Sequence, residues 1–275
     1  MRLVFMPDHT LTGNIQRHRG FRSKIFANRR DVLVYLPRNY RRFSRERYPV
    51  LYLQDGQNVF DAATSFSHVE WGVDEAAQRL IRKNLIEPLI IVAIANTGEE
   101  RVHEYAPTRG VIDTSAKRKR RSRGLARQYG RFLIEELKPY IDRKYRTKSE
   151  AEFTGLGGSS LGALLTLSLG LWFPHVFRRL IVMSPSVWWD DQVIVKMVEE
   201  LDNKLPLKIW LDTGTHEPGW ERARTLCGAL VEKGWKMFDD LQYAEVDGGD
   251  HSERAWSTRV DSALRFLFPP AQDRQ

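Results

Sequence analysis

Residues 158–162, with the sequence Gly-Ser-Ser-Leu-Gly, constrain the fold of this chain more than any other stretch. Residues 151–154 have the composition of the end of a short buried strand, and residues 163–173 form an apolar run as long as a buried helix. A strand that turns at once into a helix needs a strained backbone at the turn, and flanking glycines let the two elements approach closely. The pattern G-x-S-x-G therefore predicts a strand–turn–helix unit with Ser160 at its apex. A simple Gly/Ser-rich turn is the alternative.

Short apolar runs alternate with segments of helical spacing along most of the chain. Residues 49–53 and 88–95 are continuous apolar runs typical of strands buried on both faces, whereas residues 13–24 are basic and alternate weakly, as in an edge strand. This order predicts an α/β fold with a mostly parallel central sheet flanked by helices on both faces. We expect a single domain over residues 1–275, with its core at 13–268. Further strands are predicted at 30–37, 179–183, 207–211 and 240–246, helices at 71–83, 125–145, 192–202, 220–234 and 253–267, and a long irregular connection at 96–116.

The composition is that of an ordinary globular protein, with 42% hydrophobic and 28% charged residues. The single cysteine, Cys227, excludes an intramolecular disulfide, and we interpret it as a packing residue of a helix. No stretch reaches the roughly 18 apolar residues of a membrane-spanning helix, and the N-terminus lacks the apolar region of a signal peptide. We therefore expect a cytoplasmic protein.

Much of the net charge of +8 comes from one short stretch. Residues 117–123 contribute six positive charges, and a run of this kind is usually a solvated loop. We predict a mobile basic loop at 110–124 and do not expect nucleic acid as a partner. The alternative is that this run binds nucleic acid or an anionic lipid surface.

The order of polar residues after the predicted strands indicates nucleophilic catalysis. Ser160 would be the nucleophile, with Ser159 as a rival that does not occupy the central position of the motif. An acidic loop follows the strand at 207–211, and His251 follows the strand at 240–246, which matches the order serine, acid, histidine. A histidine titrates near neutrality and can take and return the proton of the serine. The alternative for His251 is a surface or helix-capping histidine.

The acid of this set is left open by the residues alone. Glu217 and Asp212 both lie in the loop after the strand at 207–211, and Asp190 or Asp191 follows the preceding strand. The acid would hold one tautomer of His251 and stabilise the imidazolium.

An oxyanion hole needs two backbone N–H groups, and two segments can supply them. One N–H is expected from Leu161, directly after the nucleophile, and the other from Gln57, because Gly56 beside it permits close approach. A plain turn is the alternative reading of Asp55-Gly56.

Three segments carry a family resemblance: YLQDGQNVF at 52–60, GGSSLG at 157–162 and GDHSERAW at 249–256. Two shorter ones are EYAP at 104–107 and SPSVWW at 184–189. With these, nearly the whole chain resembles the Putative esterase family of α/β-hydrolases, which includes enterochelin esterases, esterase D (S-formylglutathione hydrolase), feruloyl and acetylxylan esterases and mycolyltransferases. The resemblance implies an α/β-hydrolase fold and leans towards the enterochelin esterase branch.

Carried over position by position, the resemblance implies Ser160 as nucleophile, His251 as base, and Gln57 and Leu161 as donors of the oxyanion hole. The family's acid falls three residues after the loop glycine, which makes it Glu217 here. Many members of the family that this chain resembles have aspartate at that place. Some enterochelin esterase-like members work with a serine–histidine dyad instead of a triad.

Several aromatic residues are candidates to line a substrate pocket, with core packing as the alternative for about half of them. The aromatic candidates are Trp71, Tyr105, Trp188, Trp189 and Trp256.

The predicted activity is that of a serine carboxylic-ester hydrolase, which acts through an acyl-enzyme on an aryl, sugar or siderophore ester. No cofactor or metal site is expected. The alternatives are an acyltransferase of the same fold and a non-catalytic binding protein that uses the basic run.

Overall fold

A computed structural model describes residues 8–113 and 119–270. Within these residues, eight strands form one sheet and two short strands form a separate hairpin. The strands are β1 Asn14–Arg22, β2 Arg29–Leu36, β3 Val50–Leu53, β4 Ile90–Ile94, β5 Val111–Asp113, β6 Lys119–Arg121, β7 Thr154–Ser159, β8 Arg179–Met183, β9 Lys208–Gly214 and β10 Leu241–Val246.

The sheet has the order β1-β2-β4-β3-β7-β8-β9-β10. The pairs β1–β2 and β2–β4 are antiparallel, and the remaining neighbours are parallel. All residues of β3, β4 and β7 are buried, as expected for central strands covered on both faces. This mixed, mostly parallel sheet confirms the predicted fold class.

Helices cover both faces of the sheet. One apolar core lies between the sheet and a layer that includes α5, whereas α1 and α9 pack on the opposite face in a second core. No helix in the described parts of the chain is both long and apolar enough to cross a membrane. The helices are α1 Val73–Arg82, α2 Arg101–Tyr105, α3 Ala126–Arg131, α4 Lys138–Lys144, α5 Leu161–Trp172, α6 Val193–Glu199, α7 Glu221–Glu232, α8 Glu253–Ser257 and α9 Val260–Leu267, with 3-10 turns at Gly56–Asn58, Gly98–Glu100 and Ala151–Phe153.

The strand–turn–helix unit around Ser160 is called the elbow below. The glycines before it belong to β7, which corrects the prediction that the strand ends at Thr154. Their missing side chains leave room for the neighbouring strands. A Cβ atom on Gly157 would lie 2.6 Å from Leu53 Cδ2, closer than side chains can pack. The strand therefore continues to Ser159, and α5 begins at Leu161 rather than at residue 163.

The connection at 96–116 is not irregular throughout, because it contains α2 and β5. The strand β5 pairs with β6, so the described parts of the predicted mobile loop form a hairpin. The Ser122 N–H donates to the Gly110 carbonyl at the base of this hairpin. Residues 114–118, which include the first two cations of the basic run, lie outside the described residues.

Two predicted helices are interrupted. Between α3 and α4 the chain forms a π-helical segment, Phe132–Leu137, directly before Pro139. Proline has no N–H to donate and its ring crowds the preceding turn, so a wider turn relieves the clash. The segment 253–267 divides into α8 and α9 around Thr258 and Arg259.

Candidate active site

Ser160 lies at a strained turn between β7 and α5. Its φ of 57° and ψ of −122° are rarely adopted by a residue with a side chain. The turn is held by backbone hydrogen bonds, from Ser160 N–H to the Met183 carbonyl and from Ser186 N–H to the Ser160 carbonyl. Gly158 is required here because a Cβ atom on it would lie 2.6 Å from the carbonyl carbon of Gly162. The strand–turn–helix unit predicted from G-x-S-x-G is therefore present.

The hydroxyl of Ser160 faces a cleft of about 650 Å³ that His251 and Trp256 also line. Its Oγ lies 3.3 Å from the Oγ of Ser186, a serine that the sequence analysis did not single out. The rival Ser159 is the last residue of β7 and is buried, although it reaches the cleft wall. The apex position belongs to Ser160.

His251 follows β10 in a loop that turns at Gly248, whose φ is 68°. Its Nδ1 atom lies 2.8 Å from Glu217 Oε2, and 41% of its side chain is exposed. The cap of α8 is supplied by Ser252, whose Oγ accepts a hydrogen bond from the Ala255 N–H. His251 is thus neither a helix cap nor a free surface histidine.

Glu217 is buried and its second carboxylate oxygen is also bonded. Oε1 accepts hydrogen bonds from the Ser184 hydroxyl at 2.5 Å and from the Gly214 N–H at 2.7 Å. Burial alone would raise the pKa of Glu217, but the hydrogen bonds from His251, Ser184 and Gly214 outweigh burial and lower the pKa. The group is therefore an anion at neutral pH, suited to hold an imidazole that becomes charged.

The other candidate acids lie elsewhere. Asp212 belongs to β9, is fully buried, and bonds to Trp210 Nε1 and Arg259 Nη1. Asp190 and Asp191 are exposed, and Asp191 pairs with a lysine of α6. The acid beside His251 is thus the glutamate.

The two predicted oxyanion donors lie at the starts of helices, where N–H groups lack intrahelical acceptors. Leu161 is the first residue of α5, and Gln57 lies in the 3-10 turn that follows β3. Gly56 packs so closely on β4 that a Cβ atom would lie 2.4 Å from the Ile94 nitrogen. The requirement for glycine is a close approach of backbones, as the sequence analysis expected.

Arg101 of α2 is a residue of the cleft that no sequence pattern singles out. It binds both carboxylate oxygens of Asp55 at 2.7 Å, and Asn96 Nδ2 donates to the same carboxylate. Asp55 itself has a φ of 54°, directly before the turn that carries Gln57. Because Arg101 and Asp55 are 46 positions apart, no local pattern links them.

The aromatic candidates divide between cleft and core. Trp256 lines the cleft, with its ring edge-on to His251 at 5.0 Å, and Trp188 is exposed on the far side of His251. Tyr105, Trp189 and Trp71 are buried and lie outside the cleft lining, in agreement with the alternative of core packing. The Tyr105 hydroxyl accepts a hydrogen bond from the Asp55 N–H, below the elbow. The cleft gains an aromatic residue that was missed, Phe66, which is 88% exposed.

One group of carboxylates in the described residues has the spacing of metal ligands. Single oxygens of Glu70, Asp74 and Glu75 lie within 4.8 Å of one another near the start of α1. These residues are not part of the cleft lining. Burial raises the pKa of Asp74 to about 8, so a proton on Asp74 reduces the repulsion between the three groups at neutral pH.

The family model described as Putative esterase matches residues 23–267. Two proteins of Bacillus subtilis (strain 168) are similar: "Uncharacterized protein YjcH", 27% identical over 93% of this chain and 98% of that protein, and "Ferri-bacillibactin esterase BesA", 28% identical over 81% and 80%. The enterobactin esterase FES from Shigella flexneri, solved in the presence of enterobactin, superposes with a TM-score of 0.73 at 20% identity, over 94% of this chain and 59% of that one.

The matched residues extend from the loop after β1 to the end of α9 and so include seven of the eight strands of the main sheet and the cleft. The fold of FES and the sequence relationship to BesA agree with this match. The chain is therefore an esterase that belongs to the Putative esterase family.

Proposed function

We propose that this esterase is a serine carboxylic-ester hydrolase that works through an acyl-enzyme, with Ser160, His251 and Glu217 as its catalytic triad. The observation that carries the proposal is the 2.8 Å hydrogen bond between Glu217 and His251 at the edge of the cleft that contains Ser160. A carboxylate in this position holds the Nδ1–H tautomer of histidine and leaves Nε2 free to accept a proton.

In the first half of the reaction, His251 Nε2 takes the proton of Ser160 as Oγ attacks the ester carbonyl. Ser160 has to exchange its contact with Ser186 for one with His251 before this step, and contacts of this kind often tighten only when substrate binds. The N–H groups of Gln57 and Leu161 bind the oxyanion. The carbon–oxygen bond to the alcohol then breaks, and the alcohol leaves with the proton from His251.

In the second half, His251 removes a proton from water, which attacks the acyl-enzyme. Collapse of the second tetrahedral intermediate releases the carboxylic acid and returns the proton to Ser160. Glu217 stays ionised throughout, because its hydrogen bonds lower its pKa. No cofactor takes part in these steps.

We assign the substrate to siderophore esters or related aryl esters. The names of BesA and FES support this class, and the cleft offers two aromatic side chains, Phe66 and Trp256. Its 650 Å³ accommodates an ester larger than a short-chain acyl ester.

The test is a mass spectrum of the intact protein after treatment with a fluorophosphonate probe. One adduct, mapped to Ser160 and absent in Ser160→Ala, is expected, and Ser159→Ala is the matched control that should still react. Hydrolysis of aryl and siderophore esters is then followed with and without added alcohol. Failure of the folded wild-type protein to react with the probe would refute the proposed triad. Transfer of the acyl group to the alcohol in preference to water would refute the assignment as a hydrolase.

A further inference from the structure

Arg259 lies between α8 and α9 with only 3% of its surface exposed. Its guanidinium lies against the end of β9 and the loop that follows β10. A Cβ atom on Gly214 would lie 2.8 Å from Arg259 Nη2, and one on Gly249 would lie 2.7 Å from the same atom. The end of β9 and the loop after β10 therefore both need glycine where they meet the guanidinium.

The guanidinium contacts the ends of two neighbouring strands. Nη1 donates to Asp212 Oδ1 at 2.8 Å and to the Ser184 hydroxyl at 3.0 Å, and Nη2 lies 3.5 Å from Glu217 Oε1. Ser184 in turn donates to Glu217 Oε1. Arg259 thus reaches the carboxylate beside His251 both directly and through one hydroxyl.

Charge gives the arrangement a second consequence. Asp212 and Glu217 are both buried. Without a cation near them, the negative charge of each carboxylate would disfavour ionisation of the other. When both acids are ionised, Arg259, Asp212 and Glu217 together carry a single negative charge. That charge matches the single positive charge of an imidazolium on His251.

We propose that Arg259 is a positioning residue, which holds the carboxylate of Glu217 in line with His251 Nδ1. This inference rests on the proposed triad, since it assigns Arg259 a role in orienting one of its members. Arg259 is not one of the residues that line the cleft. It therefore acts through Glu217 and not on the substrate.

The variants that test it are Arg259→Met and Arg259→Lys, with Arg265→Met as matched control, since Arg265 is an exposed arginine of α9. In Arg259→Met, we expect kcat for an aryl ester to fall about 100-fold with KM within about twofold, because displacement of a catalytic group by about 1 Å costs that much. Added guanidinium should restore part of the rate. Arg259→Lys keeps the buried charge with fewer hydrogen bonds, so this variant should fold, and its kcat should lie between those of Arg259→Met and the wild type.

The downfield NMR resonance of the His251 Nδ1 proton gives a readout independent of turnover. It should be present in the wild type and in Arg265→Met, and lost or shifted upfield in Arg259→Met and Arg259→Lys. An unchanged resonance and kcat in either Arg259 variant would overturn the inference. Rescue of thermal stability by guanidinium without rescue of kcat would overturn it too, since it would show a structural role alone. A wild type that shows the resonance but does not react with the fluorophosphonate would instead overturn the proposed function.

Discussion

The hydroxyl of Ser184 donates a 2.5 Å hydrogen bond to Glu217, the carboxylate that binds His251. The same oxygen accepts hydrogen bonds from Trp256 Nε1 and Arg259 Nη1, so one buried hydroxyl joins β8, the loop after β9 and the α8–α9 segment. Ser184 has a φ of 45°, which is strained for a residue with a side chain. A strained residue with every hydrogen-bonding position in use is typical of a site where geometry matters more than local stability.

Replacement of Ser184 by alanine is expected to lower both stability and kcat. Trp256 Nε1 would lose its acceptor and Arg259 Nη1 would keep only its bond to Asp212, and each buried N–H left unpaired costs about 1–3 kcal/mol. Glu217 would lose one of the bonds that orient it. Urea unfolding and ester turnover measure the two effects. Ser168→Ala is the control, because it removes a single buried bond to the Leu164 carbonyl and should leave kcat unchanged.

Replacement of Glu217 by glutamine should reduce kcat strongly with little change in KM. An amide can present its NH₂ group to His251 and select the wrong tautomer, an error that costs about 10⁴-fold in a related triad. Asp191→Asn is the comparison and should behave as the wild type, because Asp191 is an exposed candidate acid that pairs with Lys196. Steady-state kinetics with an aryl ester decide between a triad and a serine–histidine dyad: a loss of less than tenfold in Glu217→Gln would favour the dyad.

Replacement of Gly56 by alanine should displace the turn that carries Gln57. The added Cβ atom would lie 2.4 Å from the Ile94 nitrogen, and overpacking of this kind costs about 1–3 kcal/mol or more. We expect a lower midpoint in urea together with a lower kcat.

The matched control for Gly56 is Gly228, a glycine inside α7. Apart from its chain neighbours and the nearby backbone of its own helix, no atom of the described residues lies within 4 Å of its Cβ position. Gly228→Ala should raise the free energy of unfolding by up to about 1 kcal/mol, because alanine favours a helix interior. If Gly56→Ala were as stable and active as Gly228→Ala, the close approach of the turn to β4 would not constrain the site.

The stability of the protein should depend on pH through Asp74. Burial raises the folded-state pKa of this carboxyl to about 8, so between about pH 4 and pH 8 the folded chain holds a proton that the unfolded chain has released. Its contribution to the free energy of unfolding therefore falls as pH rises across this interval, by up to about 1.4 kcal/mol per pH unit, and becomes constant above pH 8.

Asp74→Asn should remove this slope, because asparagine can still accept the hydrogen bonds from Thr12. Urea unfolding at a series of pH values measures it, with Asp191→Asn as a control that keeps the slope. The same slope in Asp74→Asn would assign the proton to another group. A rise in wild-type stability at pH 8 on addition of Ca²⁺ would indicate that the cluster with Glu70 and Glu75 binds a cation instead.

The sequence was sufficient for features that depend on neighbouring residues. The elbow around Ser160 follows from glycines two positions to either side of it, and the fold class follows from the alternation of apolar runs and helical spacing. The placement of Ser160, the acidic loop and His251 at one edge of the sheet also follows from the sequence. Each of them comes directly after a predicted strand, and parallel strands bring their carboxyl ends to the same edge.

Tertiary structure decided what depends on side-chain direction. Asp212 and Glu217 are near each other in sequence, but β9 extends to Gly214, so Asp212 lies in the sheet and bonds Trp210 two positions earlier on the same face. In the turn after β8, the packing likewise decides between two adjacent tryptophans, because Trp188 is exposed and Trp189 is buried.

The contacts made by Arg101 with Asp55 and by Arg259 with Ser184 join residues 46 and 75 positions apart. Such pairs leave no periodic signal in the sequence, because each partner is compatible with many local conformations and only the packed sheet brings them together. Local backbone chemistry thus determined where the serine turns and in which order the catalytic candidates follow. The packing of distant elements determined which carboxylate binds the histidine and what holds that carboxylate in place.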